Sequence, residues 1–114
     1  MWLFTKTGFV SAVAKPGEGK GMCVRARDRK SLESLAAIAK TEIRKSPNGD
    51  YPYRVFVDLP DFGMWVFEAV TDIDYDNFKA EMHEHRDSTF AAALGQVWLA
   101  MTSTEDADAR VEVL

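Results

Sequence analysis

A chain of 114 residues, 46 % apolar with thirteen aromatics and 28 % charged residues, has the size of one domain and the composition of a globular protein with a real core, which excludes intrinsic disorder. Its formal charge of −4 at pH 7 hides a split of +6 and −10: ten Lys/Arg oppose four acids as far as Gly49, and from Asp50 onward four Lys/Arg oppose fourteen acids. The acidic balance argues against membrane-surface binding and against wholesale nucleic-acid binding, while segments of opposite sign attract each other or a charged partner.

The single cysteine, Cys23, has no second thiol in the chain to pair with, whereas small secreted domains tend to be cysteine-dense. The start, Met1-Trp2-Leu3-Phe4 with Lys6 close behind, is not a basic segment followed by an apolar stretch, and no apolar run approaches the roughly 18 residues of a spanning helix. A soluble, cytoplasmic protein without membrane contact is the expectation.

Residues 8–14 (Gly-Phe-Val-Ser-Ala-Val-Ala) read as a strand that extends back toward Trp2. Lys15-Pro16-Gly17-Glu18-Gly19-Lys20-Gly21 is rich in the residues a chain reversal uses, and predicts a long, loose hairpin connection. Met22-Cys23-Val24-Arg25-Ala26-Arg27 then alternates small or apolar with charged residues, the period of a half-buried strand. Asp28 or Ser31 is placed to cap a following helix. Leu32, Leu35, Ala36, Ala39 and Ile43 recur at helical spacing with Ile38 at the edge, and Ser46-Pro47-Asn48-Gly49 stops the pattern.

Residues 51–59 form the third predicted strand, with Tyr53, Val55 and Val57 on one side and Arg54, Phe56 and Asp58 on the other. Pro60-Asp61 suits the first turn of a helix whose stripe is Phe62, Trp65, Val66, Ala69, Val70 and Ile73. Tyr75, Phe78 and Met82 carry an apolar face onward after a break near Asp74, and from Ser88 a further helix follows with Phe90, Leu94, Val97, Trp98 and Met101. Leu35, Val55, Trp65 and Trp98 are the predicted core anchors. Residues 102–114 read as an acidic tail, with a short edge strand at 111–114.

The element order is ββαβαα within a single α+β domain, residues 1–114. A right-handed crossover leaves the first strand between the second and third, the second and third parallel. The expected fold is a three-stranded split β-α-β sheet with helices on one face and the other face open.

Three stretches carry a resemblance: Gly8-Phe9-Val10-Ser11 with Lys15-Pro16-Gly17; Val24-Arg25-Ala26-Arg27; and Asp50-Tyr51-Pro52-Tyr53-Arg54-Val55 followed by Ile73-Asp74-Tyr75-Asp76-Asn77-Phe78-Lys79. In this order and spacing the chain resembles a family of small uncharacterised bacterial and bacteriophage proteins, from Trp2 to about Trp98. Phe62-Gly63-Met64-Trp65-Val66-Phe67 departs from the Ala-rich helix of such proteins. The resemblance implies a bacterial or phage origin and supports the element order; it implies no activity and no site.

Motifs for chemistry are incomplete. Asp72, Asp74 and Asp76 begin like a calcium loop, but Asn77 stands where such a loop needs Gly and His83 where it needs Glu. His83 and His85 diverge by about 200° on a helix, and no third His or second Cys completes a zinc set. Cys23 has no base beside it in sequence and reads as a buried cysteine, and the spaced glycines 17, 19 and 21 read as a hairpin tip. No catalytic residue, metal or cofactor is expected; an enzyme would need a pocket joining Asp74 with Arg54.

The binding candidates are Arg25, Arg27, Arg54 and Phe56. With Val24 and Ala26 turned toward the helices, all three guanidiniums and Phe56 reach the open sheet face. Forked donors there suit phosphate or carboxylate, and an aromatic suits a base. The competing reading pairs these arginines internally with Asp50, Asp58, Asp74 or Asp76. The first functional expectation is a non-enzymatic accessory protein of phage or prophage type that docks on a protein partner; the second is anion or single-stranded nucleic-acid binding through the arginine face. A homodimer is the expected assembly.

Overall fold

The computed structural model describes residues 1–47 and 49–106. The chain divides into two compact units, Met1–Asp76 and Asn77–Leu114. Among the described residues the fold is α+β, with one five-stranded antiparallel sheet and four α-helices.

The first unit holds β1 (Trp2–Thr5), β2 (Gly8–Val13), β3 (Met22–Ala26), α1 (Lys30–Ala39), β4 (Arg44–Lys45), β5 (Tyr53–Val57) and α2 (Leu59–Thr71). The strands lie in the order β1-β2-β3-β5-β4, and each neighbouring pair is antiparallel. This corrects the expected three-stranded sheet in two ways. The first predicted strand is two strands, because the chain reverses at Lys6-Thr7, where the Thr5 hydroxyl accepts the Thr7 N–H at 3.3 Å. And β3, not the strand before it, lies between its neighbours and runs antiparallel to β5.

The second correction has a simple cause. The residue Lys40 takes left-handed geometry (φ 52°) and ends α1, with its own N–H and that of Thr41 bonded back to Ala37 and Ala36, the arrangement normally supplied by glycine. The helix therefore stops before Ile43, and residues 44–45 become a strand. That extra leg reverses the direction of β5. The parallel strands of the split β-α-β arrangement are β3 and β4, with β5 between them.

Sheet and helices meet over a core of Val10, Ala12, Val24, Ala26, Val55 and Val57 from the strands, Leu32 and Leu35 from α1, and Phe62 and Trp65 from α2. Asp28 accepts the Ser31 N–H at 2.9 Å and its hydroxyl at 2.6 Å, and so caps the start of α1. The stretch predicted as a loose connection is a second tight hairpin. Glu18 and Gly19 both have positive φ, 54° and 78°, between a Gly17–Lys20 bridge, as a two-residue turn between twisted strands requires. Glu18 binds Arg44 at 2.9 Å and Lys20 binds Asp58 at 3.1 Å.

The second unit holds α3 (Phe78–His85), packed on α4 (Ser88–Met101), then a 3-10 turn, Thr102–Thr104. Asn77 accepts the Ala80 N–H at 2.9 Å and Asp87 the Phe90 N–H at 2.7 Å, capping the two helices. Trp98, expected in the core, is 71 % exposed. The 14 residues of α4 include no charged side chain, so no polar face marks which side turns inward; Ala91 is buried while Val97, Trp98, Leu99 and Met101 are exposed. The edge strand expected at 111–114 lies outside the described residues.

Candidate functional site

Period-two alternation sends one set of side chains into the core and the other to the opposite sheet face. That second face carries Trp2 and Phe4 from β1, Phe9 and Ser11 from β2, Cys23 and Arg25 from β3 with Arg27 just beyond, Arg54 and Phe56 from β5, and Arg44 from β4. The register aligns one row across all five strands: Trp2 beside Ser11, Ser11 beside Arg25, Arg25 beside Arg54, Arg54 beside Arg44. Like charges directly opposite each other weaken a strand pair, so three arginines in one row call for a compensating partner.

Tyr51 organises the arginines. It lies just before β5 and is 7 % exposed. The guanidinium carbons of Arg25 and Arg27 each sit 4.7 Å from its ring centroid, the geometry of cation–π attraction. Arg54 donates to the Tyr51 carbonyl at 3.4 Å, Arg27 to the Asp50 carbonyl at 2.6 Å, and Arg25 to the Ser11 hydroxyl at 2.9 Å. These acceptors are all neutral. Among the described residues, no carboxylate lies within ion-pair distance of Arg25, Arg27 or Arg54, whereas Asp58 is taken by Lys20 and Asp74 by Lys6 at 2.7 Å. The Nε atoms of Arg25 and Arg54 are buried without a hydrogen-bond partner, so donor capacity on both guanidiniums is unmet. Arg44 differs, since Glu18 and Glu42 both bind it.

Phe56 sits under the second hairpin. A Cβ on Gly17 would fall 2.3 Å from Phe56 Cε1, so only glycine lets the turn pass this close, and the ring is covered there. The aromatics beside the arginines are instead Trp2, Phe4 and Phe9. Phe9 stacks on Phe4 at 4.6 Å and meets Trp2 edge-on at 5.7 Å, with Tyr51 at 6.5 Å. Trp2 stays 68 % exposed. Sequence reasoning gave Arg44 and Phe9 no role, weighed Tyr51 only as architecture, and took Trp2-Leu3-Phe4 as apolar bulk for self-association rather than as neighbours of the arginines. The parity of Trp2 and Phe4 carries the signal for the last, once the reversal at Lys6-Thr7 is placed.

Cys23 is fully buried on the same face, opposite Phe56. Burial pushes its thiol above its ordinary value of 9.0, more strongly than Arg54, Arg25 and Lys15 pull it down. Well below pH 9 the thiol is protonated in both folded and unfolded chains. Above that the unfolded chain ionises first, so stability falls as pH rises. Iodoacetamide at pH 8 is expected to label the native protein at least tenfold more slowly than the urea-unfolded chain; equal rates would show an accessible thiol.

Lys6 binds Asp74 and lies 5.5 Å from the Tyr75 ring. Asp74 thus pairs with Lys6 while Arg54 bonds to the Tyr51 carbonyl, and His85 bonds Glu81 one turn away at 2.8 Å. Among the described residues, no three His, Cys, Asp or Glu side chains gather as metal ligands, and no helix is long and apolar enough to cross a membrane.

Fold and face together describe a small α+β domain with arginines and aromatics side by side on an antiparallel sheet. Compared with family models, with curated proteins and with solved structures, the chain matches none of them.

Proposed function

We propose that this protein acts by binding rather than by catalysis, and that the arginine face of the sheet receives an anionic partner. The observation that carries the reading is the gathering of Arg25, Arg27 and Arg54 about Tyr51 with neutral oxygens as their hydrogen-bond acceptors. Forked guanidiniums held by their stems, with donors to spare, bind phosphate or carboxylate groups without first reorganising. A bacterial or phage accessory role belongs to the same proposal and rests on the resemblance of the Asp50-Tyr51-Pro52-Tyr53-Arg54 and Ile73-Asp74-Tyr75-Asp76-Asn77-Phe78-Lys79 motifs.

Titration with pyrophosphate and with heparin, followed by two-dimensional NMR of the arginine side chains, tests it. The Nε resonances of Arg25, Arg27 and Arg54 are expected to shift saturably, and the Arg25→Gln/Arg54→Gln double variant is expected to lose at least tenfold in heparin affinity. Resonances that stay still with both anions would end this reading.

A second reading, docking on a protein, is favoured by α4. A 14-residue helix without a charge, exposing Val97, Trp98, Leu99 and Met101, is the kind of apolar surface that interfaces cover. A second copy of the chain is the simplest occupant, because two such helices meet across a two-fold axis without like-charge contact. Trp98→Glu is expected to leave the far-UV circular dichroism unchanged, since the residue is 71 % exposed, and to give the monomer mass by light scattering where the parent chain gives a dimer. A parent chain that is monomeric at high micromolar concentration would remove the homodimer.

A further inference from the structure

The sheet face is divided along its register. Trp2, Phe4 and Phe9 occupy the β1–β2 side, while Arg25, Arg27, Arg54 and Arg44 occupy the β3–β5–β4 side. We propose that the ligand of this face is a nucleotide unit of a single strand, its base stacked on Trp2 and its phosphate held by Arg25 and Arg54. The proposal rests on the anion-binding reading above and adds the chemical class of the ligand.

Two features point past a simple anion. Trp2 keeps most of its indole in water at the edge of the face, braced edge-on by Phe9, which Phe4 in turn supports. An indole fixed by a neighbouring ring yet left exposed is a stacking platform, and stacking tolerates any base because every base has a π-face. The distance fits as well: Trp2 and Arg25 stand two strands apart in one row, about 10 Å, with the buried Ser11 between them. A base–sugar–phosphate unit reaches across that gap once the length of an arginine side chain is counted.

Single strands are favoured by the same geometry. A duplex hides its base faces, whereas unpaired bases are free to lie on an aromatic of a sheet. The protein's net charge of −4 opposes long polyanions, so the contact is local, with about two or three phosphates engaged. For single strands each phosphate contributes a slope of about −0.7 in log K against log salt, which predicts a slope of about −2 when three phosphates are engaged and about −1.4 when two are. An acidic polypeptide would use the arginines but leave Trp2 without a role.

Fluorescence anisotropy with labelled dT10 and rU10 on the full chain tests the proposal, with UMP, pyrophosphate, heparin and polyglutamate as competitors. Binding with a salt slope of about −1.4 to −2 is expected, together with quenching of tryptophan emission that Trp2→Ala abolishes. Trp2→Ala is expected to weaken binding at least tenfold with the slope unchanged. Arg25→Gln/Arg54→Gln is expected to flatten the slope. Affinity that rises from UMP to the decamers identifies a strand as the source, whereas UMP binding as tightly as dT10 would overturn the strand and leave a mononucleotide site. Heparin or polyglutamate binding as well as the decamers, with Trp2→Ala indifferent, would overturn the nucleotide assignment and leave the anion face standing. No binding by the decamers, pyrophosphate or heparin would overturn both.

Discussion

Trp65→Ala is expected to lower the stability of the protein by about 3–5 kcal/mol, the cost of truncating a large buried aromatic. Trp65 is 4 % exposed, stacks on Phe62 at 5.8 Å, and donates its indole N–H to the Ser34 hydroxyl at 2.9 Å. It thus joins α2 to α1 through both packing and a directed bond. Alanine would leave a void beside Phe62 in the core cluster and leave the Ser34 hydroxyl without that donor. Trp65→Phe keeps most of the ring and is expected to cost much less, about 1–2 kcal/mol, including the lost hydrogen bond. Against a total of about 5–15 kcal/mol for a small domain, the alanine variant gives up a large fraction. Urea unfolding followed by circular dichroism measures it; a loss under about 1 kcal/mol would show that α2 does not hold α1 through this residue.

Tyr51→Ala is expected to cost about 3 kcal/mol and to weaken anion binding at least tenfold. Two guanidiniums rest against this one ring, each contact contributing about 0.5–2 kcal/mol according to its exposure, and the ring itself is buried beside Phe9. Its removal takes away the surface that sets the positions of Arg25 and Arg27 while leaving their charges close together. Repulsion then spreads the side chains, and an arriving anion must order them again. Tyr51→Phe retains the ring and is expected to stay within about 1 kcal/mol of the parent in stability and within twofold in affinity. An alanine variant that loses stability yet binds pyrophosphate as the parent does would assign the ring to the fold alone.

The parts of the site legible in the sequence were those that follow from local periodicity. Alternation along Met22–Ala26 and Tyr53–Val57 places Arg25 and Arg54 opposite in sense to Val24 and Val55 whatever the strands pair with, since successive side chains leave a strand on opposite sides. Arg27 follows from the same parity. Tyr51 does not, because it precedes its strand and is separated from it by Pro52; only the return of the chain after β4 brings its ring against Arg25 and Arg27. Phe56 was legible as a face residue but not as a covered one, for the turn at Glu18-Gly19 that brings Gly17 over it is a contact between segments far apart in sequence.

By itself the amino-acid order determined the α+β class, the strands within residues 8–14, 22–27 and 51–59, and the apolar face of α1, because each is a repeat read within a few turns or residues. Strand order and direction were decided by tertiary structure. A two-residue strand, Arg44–Lys45, is too short to show a period, yet it reverses the course of β5 and sets Arg54 directly beside Arg25. The inward side of α4 was decided in the same way: a helix without a charged residue presents little contrast for periodicity to report, and only its packing leaves Trp98 exposed while Ala91 is buried.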